Sequence, residues 1–164
     1  MTRSILIAVT AVAVAGAAQA QPAARARGPS LALSVEAAQT AVATCLTNGY
    51  KVSALVFDSG AAPVVVLSGD GVGARTVDIA TGKAAVVFKY KVASAVIADK
   101  VKTDAALDAE VKADPKIGTA RAGALPILIG SDLIGAIAVS GAPGGDKDAV
   151  CAKAGLDKVS ARLK

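Results

Sequence analysis

Apolar residues recur along this chain with two alternating periods. Val35, Ala38, Val42, Cys45 and Leu46 fall at helical spacing. Ser34 is the expected N-cap of that helix, and Asn48-Gly49, which tolerate a left-handed backbone, are its expected stop. Two short Val-rich runs follow, 51–58 and 63–68, separated by Ser59-Gly60-Ala61-Ala62 in the manner of an antiparallel hairpin. Both runs carry apolar residues at successive positions, which predicts a sheet covered on both faces.

Past the glycine-interrupted loop 69–73, the stretch 76–90 places Val77, Ala80, Ala84 and Val87 on one helical stripe. Gly82 within it costs about 1 kcal/mol against Ala and is read as a point of close helix packing. Segment 99–116 alternates charges with Ala, Leu and Val, as a short solvated helix does, and Pro115 ends it. Two further strands, 124–130 and 133–140, are joined by a turn at Ser131-Asp132. Gly141 to Gly145 then breaks the pattern. Asp146 is the expected cap of a last helix, with Asp148 in its first turn and Ala152, Leu156, Val159 and Leu163 facing inward. Hairpins punctuated by helices indicate an α+β domain over 34–164 rather than a doubly wound parallel sheet.

The first twenty residues read as an export signal. Arg3 supplies the positive end, 5–16 is an unbroken run free of charge, and Ala18-Gln19-Ala20 has the form of a signal-peptidase site, placing cleavage after Ala20 and the protein in the periplasm or the medium. The run is too short for a membrane span of about 20 residues. Residues 21–33 read as a flexible leader.

Composition narrows the chemistry. The chain of 164 residues has no His and no Trp, and its single Met is Met1. Without histidine the usual general base, the commonest metal ligand and the Ser-His and Cys-His pairs are gone, so no catalytic residue is assigned. The formal charge of +5 is spread thinly and only 2% of residues are aromatic, which argues against a nucleic-acid partner. In an exported protein Cys45 and Cys151 are expected to form a disulfide, the rival being two buried thiols. The Gly69-x-Gly71-x-Gly73 spacing lacks the third glycine of a dinucleotide fingerprint and reads as a turn.

Leu125-Pro126-Ile127, the run Ile134 to Gly141 and the segment Asp146 to Leu156 resemble the GlcG/HbpS-like (DUF336) haem-binding family. The resemblance extends upstream through Val56-Phe57-Asp58 with Gly60, Gly69-Asp70-Gly71, Asp78-Ile79-Ala80 and Lys83-Ala84, and so spans about 34–163. It implies one α+β subunit with a mainly antiparallel sheet flanked by helices, assembly into homo-oligomers, and extracytoplasmic binding, relay or sensing of haem.

A haem site needs an apolar slot, cations for the propionates and an axial ligand. Arg75 and Lys83, with Lys89 and Lys91, are the candidate cations. Tyr90 is the candidate iron ligand, ahead of Tyr50, a reduced cysteine or Thr76. The chain departs from its relatives at Ala74-Arg75-Thr76 and Val92-Ala93-Ser94, where polar groups have become methyls. The alternative function is therefore a non-catalytic oligomeric scaffold, or a binder of another small apolar ligand. A third, an enzyme acting on a small oxidised metabolite, would draw on Asp58, Asp70, Asp78 or Lys83.

Overall fold

The structure is a computed structural model that describes residues 26–164. The expected signal and residues 21–25 of the leader lie outside it. The described residues form helix α1 (Leu31–Thr47), strands β1 (Ser53–Asp58) and β2 (Pro63–Ser68), helices α2 (Thr76–Tyr90), α3 (Ser94–Lys100) and α4 (Ala105–Ala113), strands β3 (Ala124–Ile129) and β4 (Asp132–Ser140), and helix α5 (Gly145–Ser160). The four strands make one antiparallel sheet in the order β2-β1-β4-β3. This is the expected α+β domain.

Proline explains which strands lie outside. Pro63 opens β2 and Pro126 sits within β3, and a residue with no N–H is tolerated where one side of the strand faces no partner. β1 and β4 carry no proline, take the centre and are buried along almost their whole length. Alternation then divides their side chains between two layers. Ala54, Val56, Ile137 and Val139 face α1 and α5, whereas Leu55, Phe57, Ala136 and Ala138 face α2. A third cluster, Val86, Ile97, Val111 and Ile117, packs α3 and α4 on the outside of α2.

The structure differs from the sequence pattern in several places. Ser30, not Ser34, caps α1, its Oγ accepting from the Leu33 N–H at 3.3 Å, and Ser34 is buried inside the helix. The inner face of α1 is accordingly Ala37, Ala38, Ala41 and Cys45, with Leu46 exposed. Small residues win that face because α5 lies hard against it: a Cβ on Gly155 would collide with the Ala37 carbonyl. β2, being an edge, is not covered on both faces, and Val66 is 50% exposed. The helix expected over 99–116 is shorter and starts later, as α4, because Asp104 caps it by accepting from the Leu107 N–H at 2.9 Å, while the unexpected α3 begins earlier, at Ser94. The last helix is capped by Gly144 instead of Asp146, and Asp148 turns inward.

Within the expected leader, Arg27 is already fixed by the Ser59 N–H donating to its carbonyl at 2.7 Å. The hairpin turn between β3 and β4 falls at Gly130-Ser131, one residue early, with Gly130 at φ 59°.

Cys45 and Cys151 form a disulfide that joins α1 to α5 across 106 residues, with Cα atoms 5.6 Å apart. Closing a loop of that size restricts the unfolded chain by about 4–5 kcal/mol in the chain-entropy model. Reduction, or Cys45→Ala with Cys151→Ala, should lower unfolding stability by about that amount, read as a shift in urea midpoint. Alkylation of the unreduced protein should modify neither cysteine.

Candidate binding cleft

A cavity of about 770 Å³ opens where the end of β4 meets the start of α5. Its walls come from α2 (Thr76, Ile79, Lys83), from α3 (Ala95, Ala98) and from the 121–122 segment before β3, with 140–149 forming the remaining side. Ser94 holds α3 against the sheet: its Oγ accepts from the Ala124 N–H at 2.9 Å. Much of the wall is alanine and glycine, which leaves the volume open.

At the base of this cleft lies a buried ion pair. Lys83 falls on the inner stripe of α2, between Ala80 and Val87, and is 2% exposed. Its Nζ donates to Asp148 Oδ2 at 2.6 Å and to the Val139 carbonyl at 2.8 Å. Asp148 Oδ1 accepts from the Ala142 N–H at 2.9 Å, so both carboxylate oxygens are used. Gly123 makes the pair sterically feasible: a Cβ there, at φ 126°, would lie 2.7 Å from Lys83 Nζ and 2.9 Å from Asp148 Cβ.

Burial pulls Lys83 below its ordinary 10.5, against the opposing pull of the Asp148 hydrogen bond and charge, and Arg121 pushes it further down. Burial likewise raises Asp148 above 3.8, against the pull of Lys83. Both shifts mark the cost of keeping charge out of water.

The four residues expected to bind a cofactor do not converge. Thr76 and Lys83 line the cleft; Arg75 precedes α2 and is exposed, and Tyr90 ends the same helix against α4. Thr76 Oγ1 donates to the Gly73 carbonyl at 2.9 Å, which leaves Ser53 Oγ to donate to it at 2.8 Å and Ser68 Oγ to donate to Ser53 at 2.8 Å. The Tyr90 hydroxyl donates to Glu110 Oε1 at 2.9 Å, with Lys89 over its ring at 5.3 Å. Burial, then that hydrogen bond, raises the phenol above 10.0 and favours its neutral form.

Sequence reasoning missed Asp148 as a partner of Lys83, and missed Arg121, which makes no ion pair among the described residues. The available signal was a lysine on an inward stripe, which demands an acid. No group of three or more Cys, Asp or Glu able to hold a metal ion is found among the described residues.

The ion pair generates a stability prediction with a defined sign. A lysine lowered on folding releases its proton early, so stability rises as pH climbs from the folded value to 10.5; a raised aspartate makes stability fall as pH climbs above 3.8. At neutral pH both therefore subtract. Lys83→Met alone strands a buried carboxylate and should cost about 3–5 kcal/mol, whereas Lys83→Met with Asp148→Leu should be near neutral. Urea unfolding measures both, and the gain in stability of the wild type on going from neutral to alkaline pH should shrink in the double variant.

Comparison with known proteins identifies the family and the fold. The family model for haem degrading protein HbpS-like matches residues 30–157. The solved structure of HbpS is 29% identical over 90% of this chain and 99% of its own, with a TM-score of 0.71. A double mutant of HbpS from Streptomyces reticuli is 30% identical, covers 96% of this chain and 99% of its own, and has a TM-score of 0.70. The PduOC:haem complex shares the fold at 18% identity, with a TM-score of 0.72 over 79% of this chain and 94% of its own. A search of curated protein sequences returns no match. Fold, sequence match and the arrangement of strands and helices agree, and the chain belongs to the HbpS-like family.

Proposed function

We propose that the protein is an exported haem-binding subunit that takes the macrocycle into the cleft between α2, α3 and α5. One observation carries this reading. The cavity of about 770 Å³ combines a small-residue apolar wall with the cation Arg121, and its size falls in the range of about 300–1,000 Å³ usual for cofactor pockets.

Ile79, Ala95, Ala98, Ala122, Ala142 and Ala149 would meet the ring. Arg121 would meet a propionate, with Lys102 as a second cation already paired to Asp99 at 2.7 Å. The apolar wall and Arg121 fit a flat ligand bearing carboxylates, beside the acids Asp99 and Asp148, which Lys102 and Lys83 offset, and the exposed Asp146. The lining residues do not include an imidazole, thioether or thiolate for iron, and Tyr90 stands outside the cleft as a neutral phenol bonded to Glu110. The reading therefore places affinity in ring and carboxylates, with the iron left to a weak oxygen donor. Haem supplies redox-active iron when bound; the protein's own residues hold and orient the ring.

Export rests on the charged, apolar and small-residue order of residues 1–20. No helix among the described residues is long and apolar enough to cross a membrane. Assembly into homo-oligomers belongs to the same reading, with the free edge of β2 as the surface it would cover.

Titration of the purified protein with haemin should give a saturable red-shifted Soret band that is unmoved in Tyr90→Phe. Arg121→Glu should weaken binding about tenfold, as loss of one charge-assisted hydrogen bond does. Iron-free protoporphyrin IX should bind within about tenfold of haemin, because ring and carboxylates carry the affinity. A featureless, unsaturable titration would leave the protein a scaffold and sink the haem reading. A band that moves in Tyr90→Phe would restore the phenolate.

A further inference from the structure

Lys83 has no role in holding a macrocycle that a rim cation could not fill, yet it lines the cleft while being only 2% exposed. Lysines used as covalent nucleophiles share three features. The amine is desolvated, a proton acceptor lies within hydrogen-bond reach, and the substrate has room beside it. All three are here. Burial lowers the basicity of the amine, and the nearby Arg121 charge lowers it further. Asp148 Oδ2 lies 2.6 Å from Nζ. The cavity that Lys83 lines is walled in part by Ala122, Ser140, Gly141 and Ala142, whose small size leaves space for a ligand of a few carbons.

We propose that Lys83 condenses with the carbonyl carbon of a small 2-oxo carboxylate to form an imine, with Arg121 receiving the carboxylate of that ligand.

The step balances within the cleft. Asp148 takes one proton from the Lys83 ammonium, and the freed amine pair attacks the carbonyl carbon, forming a C–N bond as the C=O π pair moves to oxygen. Asp148 returns its proton to that oxygen, and the carbinolamine loses its oxygen as water, with a second proton coming from the nitrogen by the same carboxylate. Ammonium and ketone thus become iminium and water, with no change in net charge and no oxidant or reductant. The product nitrogen keeps one N–H and its positive charge, so Asp148 retains a counter-ion throughout. A desolvated lysine amine of reduced basicity is suited to Schiff-base formation with a ketone or aldehyde carbonyl.

Arg121 selects the carboxylate. It is exposed, makes no ion pair among the described residues and lines the same cavity. It precedes by two residues Gly123, the position that closes on Lys83 Nζ. A carbonyl compound bearing a carboxylate is therefore favoured over a neutral ketone. Lys102, the remaining cation of the cavity, is already held by Asp99.

The test uses the wild-type protein with its disulfide intact, together with one variant at the exposed Arg121. Pyruvate, glyoxylate or the neutral ketone butanone is incubated with it in sodium cyanoborohydride at neutral pH. Peptide mass spectrometry then locates the reduced adduct. Pyruvate and glyoxylate should label Lys83 saturably and at least about tenfold faster than any exposed lysine, and butanone should label it about tenfold more slowly than they do. Arg121→Ala should erase the preference for the oxo acids, read as the ratio of pyruvate to butanone labelling at Lys83. Adducts spread over exposed lysines with Lys83 unmodified would overturn the proposal. Equal labelling of Lys83 by pyruvate and butanone would overturn the role of Arg121 and the choice of ligand class.

Discussion

A lysine on the inner stripe of α2 obliges the rest of the molecule to bring it an acid. Three separate parts of the chain answer that demand: Asp148 from α5, the Val139 carbonyl from β4, and Gly123, which stays bare so that both can approach. Leaving any of these out would strand a charge in the alanine-lined layer between helix and sheet, at several kcal/mol. The ion pair thus sets the register of α2 against β4 and fixes where α5 begins. It also leaves a cleft beside it, because its other neighbours are glycine and alanine.

The first turns of α5 carry two restraints of different kinds. Asp148 ties the helix to α2 beyond the end of the sheet, and Cys151, one turn later, ties it covalently to α1 on the opposite face. The floor of the cleft is therefore held from both layers of the domain. Its opposite wall, α3, is a seven-residue helix fixed to the sheet by the Ser94 hydrogen bond and by Ile97 in the outer cluster. A rigid floor with a lightly held wall suits a site that must admit a flat or bulky ligand without disturbing its charged base.

Most of the fold was legible because its elements obey simple periods. Helix α2 and both hairpins lie close to where alternation and helical spacing put them. The errors came from tertiary packing that a single periodicity does not encode. Ser34 looks like a cap, but the chain before it also permits a helix, and Ser30 caps that longer one. Leu46 looks like core, but a helix pressed against Gly155 needs alanine on its inner face.

The site was harder to read, because Lys83 and Asp148 are 65 residues apart. In sequence, Asp148 has a sufficient local explanation as an acid in the first turn of a helix. The clue lay in their spacing, since Lys83 shares a stripe with Ala80 and Val87 while Asp148 shares one with Cys151, Ala152 and Gly155. Two inward stripes carrying opposite charges identify each other. Arg121 gave no such clue, lying in an irregular segment whose position only the closed sheet defines.

The absence of histidine looked at first like the absence of chemistry. In the proposed condensation, a lysine with weakened basicity beside a carboxylate would supply what an imidazole otherwise provides: a nitrogen whose proton leaves and returns locally. Haem and a 2-oxo acid make overlapping demands on the cleft, since both bring carboxylates to Arg121 and both need the small-residue wall. They differ at the base. A macrocycle needs volume and rim cations, and gains nothing from an amine so nearly sealed from solvent. Covalent capture of a carbonyl needs that amine where it is, with its acid in contact and water held back. The depth of Lys83, more than its charge, separates the two uses.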